Sequence, residues 1–116
     1  MGRSCRELIV WQRAVQMSVA IYKFTAAFPK DELYGLTSQL RRAGVSVASN
    51  IAEGYGRSST GEYKQFLGMA RGSNMEVQTQ LEISKELDFG NLATLNQTEG
   101  LSHEVGKMLV AIINKL

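Results

Sequence analysis

The chain has 116 residues, of which 44% are hydrophobic and 21% are charged, and these proportions are typical of one soluble globular domain. Thirteen basic and eleven acidic side chains give a formal net charge of +2, which permits a nucleic-acid partner without indicating one. A single cysteine, Cys5, excludes an internal disulfide, and no apolar run reaches the length of a membrane span, so we expect a cytoplasmic protein.

The first two predicted helices cover residues 7–27 and 32–54. The apolar seam of the first consists of Val10, Ala14, Met17, Ile21, Phe24 and Phe28, and that of the second of Leu36, Leu40, Ala43, Val47 and Ile51. Pro29 ends the first helix, because proline lacks a backbone N–H and forces Phe28 out of helical geometry. The second helix is expected to end at Gly54 or Gly56 in the left-handed conformation.

The third and fourth predicted helices cover residues 60–88 and 92–115. Ser59 and Glu62 have the spacing of a capping box that opens the third helix. Its seam consists of Tyr63, Leu67, Ala70, Asn74, Val77 and Leu81, with Asn74 as a polar interruption. Gly90 is expected to cap its C-terminus, and Asn91 the N-terminus of the fourth helix. The fourth carries a wide apolar stripe of Leu101, Val105, Met108, Leu109, Ile112, Ile113 and Leu116.

Four helices of about 30–40 Å with short connections favour antiparallel neighbours. No alternating strand pattern competes with the helical periodicity. The sequence therefore predicts an all-α fold, an antiparallel up-and-down four-helix bundle, in one domain that covers residues 1–116.

Polar side chains form a second stripe beside the seams of the second and third helices. The residues of this stripe are Gln39, Arg42, Ser46, Asn50, Glu53, Glu76 and Gln80. They form either a solvated surface or a partly buried hydrogen-bonded network between the helices, with Arg42 within about one turn of Glu76. A catalytic site is the least favoured alternative, because no nucleophile, base or metal-ligand cluster accompanies them.

Two glycines stand four residues apart in the third helix, on the face opposite its apolar seam. Gly68 and Gly72 each cost about 1 kcal/mol relative to alanine in a helix interior. Small residues at this spacing allow another helix to approach closely, so the pair is a candidate subunit interface. The alternative is a tolerated surface without a partner.

The other residues that could take part in catalysis or ligand binding have a structural interpretation. No metal-ligand or catalytic partner stands at a useful spacing from His103, and Cys5 lies near the N-terminus of the chain. The glycine-rich run 54–61 follows a helix and lacks the Gly-Lys-Ser/Thr ending of a phosphate-binding loop, so we interpret it as an interhelical turn. We expect no enzymatic activity, no metal, no cofactor and no small-molecule substrate.

The run Leu-Thr-Ser-Gln-Leu-Arg-Arg-Ala-Gly-Val-Ser-Val-Ala-Ser-Asn-Ile-Ala-Glu-Gly at 36–54 resembles the signature of a bacterial family, the large-subunit ribosomal RNA intervening-sequence or four-helix-bundle proteins. Val-Trp-Gln at 10–12, Phe28-Pro29 and the run 62–67 also fit. Gly44 and Ala48 depart from it, because the family usually has bulkier residues or a proline there. The resemblance implies antiparallel four-helix bundles that assemble into pentameric rings. A related branch, the accessory variability determinant of diversity-generating retroelements, is strongly basic and binds nucleic acid.

Two functional hypotheses follow. In the first, the chain is a non-enzymatic homo-oligomeric scaffold or adaptor whose partner is another copy of itself; in the second, it binds RNA or DNA through a basic face of the oligomer. The candidate nucleic-acid contacts are Arg41, Arg57, Lys64, Arg71 and Lys85. Binding would rest mainly on phosphate contacts, because Trp11 and Phe66 are expected in packing and Tyr55 is the main candidate for base stacking.

Overall fold

A computed structural model describes residues 4–116, in which four α-helices run up and down and no strand occurs. Helix α1 spans Ile9–Thr25, α2 Leu36–Tyr55, α3 Thr60–Glu86 and α4 Leu92–Lys115. Short 3₁₀ turns occupy Cys5–Glu7 and Lys30–Glu32. Helices α1 and α3 each pack against both α2 and α4, and the bundle measures 45 × 23 × 21 Å. The predicted all-α four-helix fold is confirmed.

The apolar seams of the four helices meet in one core. Its fully buried large side chains are Met17, Ile21, Phe24, Leu40, Val47, Ile51, Leu67, Val77, Leu81, Val105 and Leu109. Each such side chain contributes about 1.5–3 kcal/mol when it leaves water. The far end of α4 is less enclosed than its wide apolar stripe suggests, because Ile112 and Ile113 are half-buried and Leu116 is exposed. No helix within residues 4–116 is long and apolar enough to cross a membrane.

The turn between α1 and α2 folds back onto the core. Helix α1 ends at Thr25, and Pro29 opens the 3₁₀ turn that precedes α2. Phe28 remains buried and packs edge-to-face on Phe24, with 4.9 Å between the ring centroids. Its ring also lies 5.4 Å from that of Phe89, which belongs to the α3–α4 turn. The two turns at this end of the bundle are therefore held together by aromatic packing.

The α2–α3 turn has the predicted cap on α3 but not the predicted left-handed glycine at the end of α2. Ser59 Oγ accepts the backbone N–H of Glu62 at 3.1 Å, as a capping box requires, and its hydroxyl also donates to the Glu62 carboxylate. Gly56 closes α2 with a φ of −81°, so the expected left-handed glycine is wrong. Gly54 is needed for packing instead, because a Cβ there would lie 2.7 Å from Phe66 Cβ on α3.

The α3–α4 turn places its left-handed residue earlier than predicted. The N–H groups of Asp88 and Phe89 donate to the carbonyls of Lys85 and Ser84, the hydrogen bonds of a Schellman cap, and Asp88 has a φ of 58°. The prediction that Gly90 caps α3 is thus wrong by two residues. Gly90 has a φ of 73° and lies against the Phe24 ring, where a Cβ would approach Cδ1 to 2.8 Å. Asn91 caps α4 as predicted, with Oδ1 2.9 Å from the Thr94 N–H.

We expect Gly90→Ala to destabilise the bundle by about 1–3 kcal/mol, because alanine is strained at positive φ and its methyl group would collide with Phe24. The matched control is Gly100→Ala, at a helical position with nothing within 4 Å, which should stabilise by up to about 1 kcal/mol. Chemical denaturation followed by circular dichroism measures both. Equal unfolding free energies for the two variants would contradict this account of the turn.

Candidate functional site

The polar stripe between α2 and α3 contains one hydrogen-bonded cluster. Ser46 Oγ lies 2.9 Å from Ser73 Oγ across the interface, and Asn50 Nδ2 donates to Ser46 Oγ at 3.0 Å and to the Ser46 carbonyl at 2.9 Å. All three side chains are partly buried. Ser46 and Asn50 were expected in such a network, and Ser73 joins them from the facing helix.

The rest of the predicted stripe is more open than a network requires. Arg42, Glu76 and Gln39 are exposed, and Arg42 and Glu76 form no ion pair in the described part of the chain. Gln80 Nε2 reaches Gln39 Oε1 at a long 3.5 Å. Glu53 pairs with Arg57 in the turn that follows α2, with 2.7 Å between carboxylate and guanidinium. The expected Arg42–Glu76 pairing is therefore not formed, because both long side chains extend into solvent.

The fully buried polar pair lies elsewhere, between α3 and α4. Asn74 Nδ2 donates to the Ser102 carbonyl at 3.0 Å, and Ser102 Oγ donates to Asn74 Oδ1 at 2.8 Å. Asn74 is 1% exposed and Ser102 is fully buried. Gly106 leaves room for the amide, since a Cβ there would lie 3.2 Å from Asn74 Nδ2. From the sequence, Asn74 was predicted only as a polar interruption of the seam, and Ser102 was not predicted as its partner. A polar residue at a seam position was the one feature of the sequence that indicated a buried polar contact.

The glycine face of α3 is open. Gly68 and Gly72 are exposed, and a Cβ at either would meet nothing within 4 Å. Along the same face, Met75 is 54% exposed and Ile83 44% exposed. Thr79 Oγ1 donates to the Met75 carbonyl at 2.9 Å, so its hydroxyl is satisfied within the helix. We call Gly68, Gly72, Met75, Thr79 and Ile83 the outward seam of α3.

Two of the candidate nucleic-acid contacts are held by the fold. Arg41 Nε donates to Thr25 Oγ1 at 2.9 Å, and its guanidinium lies 4.5 Å from the centroid of the Tyr22 ring. Arg57 pairs with Glu53 and lies 4.8 Å from the Phe66 ring centroid. These contacts hold the Arg41 guanidinium beside α1 and the Arg57 guanidinium at the α2–α3 turn. The five basic residues therefore do not share one face of the subunit.

The other three basic candidates lie on α3 at heptad spacing. Lys64, Arg71 and Lys85 are exposed and differ by multiples of seven residues, which places them on one side of the helix. Arg71 lines a groove of about 440 Å³ between α3 and α4 together with His103 and Lys107. No acidic residue lines this groove. Sequence reasoning missed Lys107, since only the packing of α4 brings it beside Arg71.

The aromatic residues differ from the expected exposure. Tyr55 is half-buried and packs edge-on against Tyr63, with ring centroids 6.1 Å apart. Burial raises the pKa of the Tyr63 phenol, and the neighbouring Tyr55 adds to the rise. Tyr34, in the turn before α2, is 92% exposed and is the side chain most open to stacking in the described chain. The prediction that Tyr55 is the exposed aromatic is wrong.

The described residues contain no cluster of three or more histidine, cysteine, aspartate or glutamate side chains placed to hold a metal ion. Cys5 is partly buried in the 3₁₀ turn before α1, and His103 is exposed beside Lys107. The surfaces that remain as functional candidates are the outward seam of α3, the basic groove between α3 and α4, and the arginine-lined surface of α2.

Comparisons with known proteins identify relatives over nearly the whole chain. Residues 6–111 match the model of a family described as 23S rRNA-intervening sequence protein. A crystal structure of a protein of unknown function from the S23 ribosomal protein family of Bacteroides thetaiotaomicron superposes with a TM-score of 0.80 at 23% identity, over 90% of this chain and 98% of the other. At that identity the likeness shows the fold alone. No match was found among curated proteins.

We expect the buried Asn74–Ser102 pair to contribute more stability than the exposed Arg42. Asn74→Ala should cost about 1–3 kcal/mol in unfolding free energy, because it leaves the Ser102 hydroxyl buried without its acceptor, whereas Arg42→Ala should cost less than about 1 kcal/mol. In the Asn74→Ala background, Ser102→Ala should cost little more, because the unsatisfied hydroxyl is removed. Additive losses in this double-mutant cycle would show that the two residues act independently.

Proposed function

The chain belongs to the 23S rRNA-intervening sequence protein family, and from this premise we propose that it is a non-enzymatic homo-oligomeric scaffold or adaptor. The observation that carries the proposal is the outward seam of α3. The structural relative is a protein of unknown function, so the surface of this chain supports the proposal.

The residues of the outward seam are unfavourable for a helix face that contacts only solvent. Glycine in a helix interior costs about 1 kcal/mol relative to alanine, and the space around Gly68 and Gly72 would accept a methyl group. The fold of the subunit therefore gives no reason for either glycine. A second helix does give one, because residues without side chains at a spacing of four allow two helix backbones to approach closely.

The neighbours of the two glycines support the same interpretation. Met69 is 49% exposed, and Met75 and Ile83 are exposed to a similar extent, so apolar surface lies on both sides of the glycine pair. Methionine side chains are flexible and adapt to a facing surface. We take the partner to be another copy of this chain, and five copies to be the ring size that the family resemblance implies.

Gly72→Leu should lower the mass of the assembly, because a leucine side chain would hold two helices apart at the outward seam. Light scattering at micromolar concentration should give a mass several times the 12.8 kDa of one chain for the natural protein and a smaller mass for the variant. The helical circular dichroism of the variant should be unchanged, since leucine is a better helix former than glycine.

Gly100→Leu is the matched control, because Gly100 is also an exposed helical glycine with nothing within 4 Å but lies on α4. This variant should keep the mass of the natural assembly. A natural protein that scatters as a single chain would rule out the scaffold proposal. Equal loss of mass in both variants would move the interface away from the outward seam.

A second candidate function, RNA binding, is favoured by the basic groove between α3 and α4. Arg71 and Lys107 are exposed, line this groove with His103, and form no ion pair within residues 4–116. Lys64 and Lys85 extend the basic row along α3 in both directions. A row of unpaired cations without acidic neighbours in the groove suits a phosphate backbone, and repetition around an oligomer would multiply it.

If the groove binds RNA, Arg71→Glu and Lys107→Glu should weaken binding to all sequences alike, because phosphate contacts carry no sequence information. The observed association constant of the natural protein should fall steeply between about 50 and 200 mM salt. Lys23→Glu, an equal charge change at an exposed position of α1, is the control and should have a smaller effect. Binding that resists salt, or that Lys23→Glu weakens equally, would exclude the groove as the contact surface.

A further inference from the structure

A second groove, of about 800 Å³, crosses the outer surface of α2 from α1 to α3. Tyr22 forms its wall on the α1 side, and Glu76 and Gln80 form the wall on the α3 side. Arg41 and Arg42 of α2 line the groove between these walls, together with the apolar residues Ala43 and Val45. The groove therefore presents two guanidinium groups and one carboxylate within a single concave surface.

Arg41 is fixed in position by the surrounding fold. Thr25 is 3% exposed, and its hydroxyl donates to the Ile21 carbonyl at 2.8 Å, so its oxygen is oriented to accept the Arg41 Nε–H. The Tyr22 ring supports the plane of the guanidinium. The terminal Nη groups have no hydrogen-bond partner in residues 4–116. A planar fork with its position fixed and its end unoccupied is the geometry that binds an oxyanion through two parallel hydrogen bonds.

The charges on the two sides of the groove are unpaired. Arg42 and Glu76 both line it, and neither forms an ion pair in the described chain. Beside Glu76, the Gln80 Oε1 atom is buried without a hydrogen-bond donor, and its amide is held only by the long contact to Gln39. The Gln80 Oε1 atom is closed to solvent, so the α3 side offers the exposed Glu76 carboxylate as its acceptor, whereas the α2 side offers donors with positive charge. Such a surface disfavours a polyanion and favours a ligand that is anionic at one end only.

We propose that this groove binds a small organic oxyanion that also carries an N–H donor, with the oxyanion on Arg41 and Arg42 and the donor on Glu76. A phosphate monoester attached to a base and a carboxylate attached to an amine both have this chemistry. The residues of this groove differ from those of the basic groove between α3 and α4.

The test is isothermal titration of the full chain at low ionic strength with three probes. Guanosine 5′-monophosphate presents a phosphate with N–H donors, diglycine presents a carboxylate with an ammonium group, and inorganic phosphate presents the oxyanion alone. We expect saturable binding of one donor-bearing probe, more tightly than inorganic phosphate, and the probe that binds identifies the source of the oxyanion. No saturation with either donor-bearing probe up to about 10 mM would overturn the proposal.

Variants separate the two ends of the site. Arg42→Ala and Arg41→Lys should each weaken binding about tenfold or more, the second because an ammonium group retains the charge but not the fork. Glu76→Gln should weaken the binding of the donor-bearing probe and leave the affinity for inorganic phosphate equal or higher. If the groove acted only through its net charge, this variant would bind every probe more tightly. Arg71→Ala, outside this groove, is the control. A loss in this control equal to that of Arg42→Ala would overturn the proposal, and unchanged circular dichroism confirms the fold of each variant.

Discussion

Burial of four apolar seams in one common core constrains every other feature of this protein, because each helix can turn only one face inward. Side chains such as Met17, Leu40, Leu67 and Leu109 leave water together, and the register of each helix is fixed by where its seam must lie. The remaining surface of each helix faces outward. All candidate functional groups are therefore exposed or partly buried side chains on the outside of a bundle 45 Å long.

The core also contains one specific polar contact that apolar packing does not supply. Asn74 and Ser102 exchange hydrogen bonds at the α3–α4 interface, and Gly106 leaves the space that the amide occupies. A longitudinal shift of α4 against α3 would separate both donors from their acceptors, and both side chains are buried from solvent. The pair therefore selects one register among those that apolar side chains alone would tolerate.

The surfaces of α3 connect the proposed functions. Its outward seam adjoins Glu76 and Gln80, which also line the groove over α2, and Arg71 on its other side lines the groove with α4. A subunit that docks on the outward seam would therefore lie close to the α2 groove. In such an assembly, a ligand in that groove would lie near the subunit interface, and so would the basic groove on the α4 side, because Met75 of the outward seam lines it.

The sequence by itself determined the fold class, the four helices to within a few residues at each end, the caps at Ser59 and Asn91, and the family. These depend on local periodicity and on hydrogen bonds between residues close in the chain. Only the tertiary structure decided the partners of polar side chains: Arg41 with Thr25, Asn74 with Ser102, and Arg42 with neither Glu76 nor any other acid in the described chain. Helical periodicity places a residue on a face to within about one turn, or 5.4 Å. A hydrogen bond requires about 3 Å and the right orientation, and both depend on the side chains of a neighbouring helix.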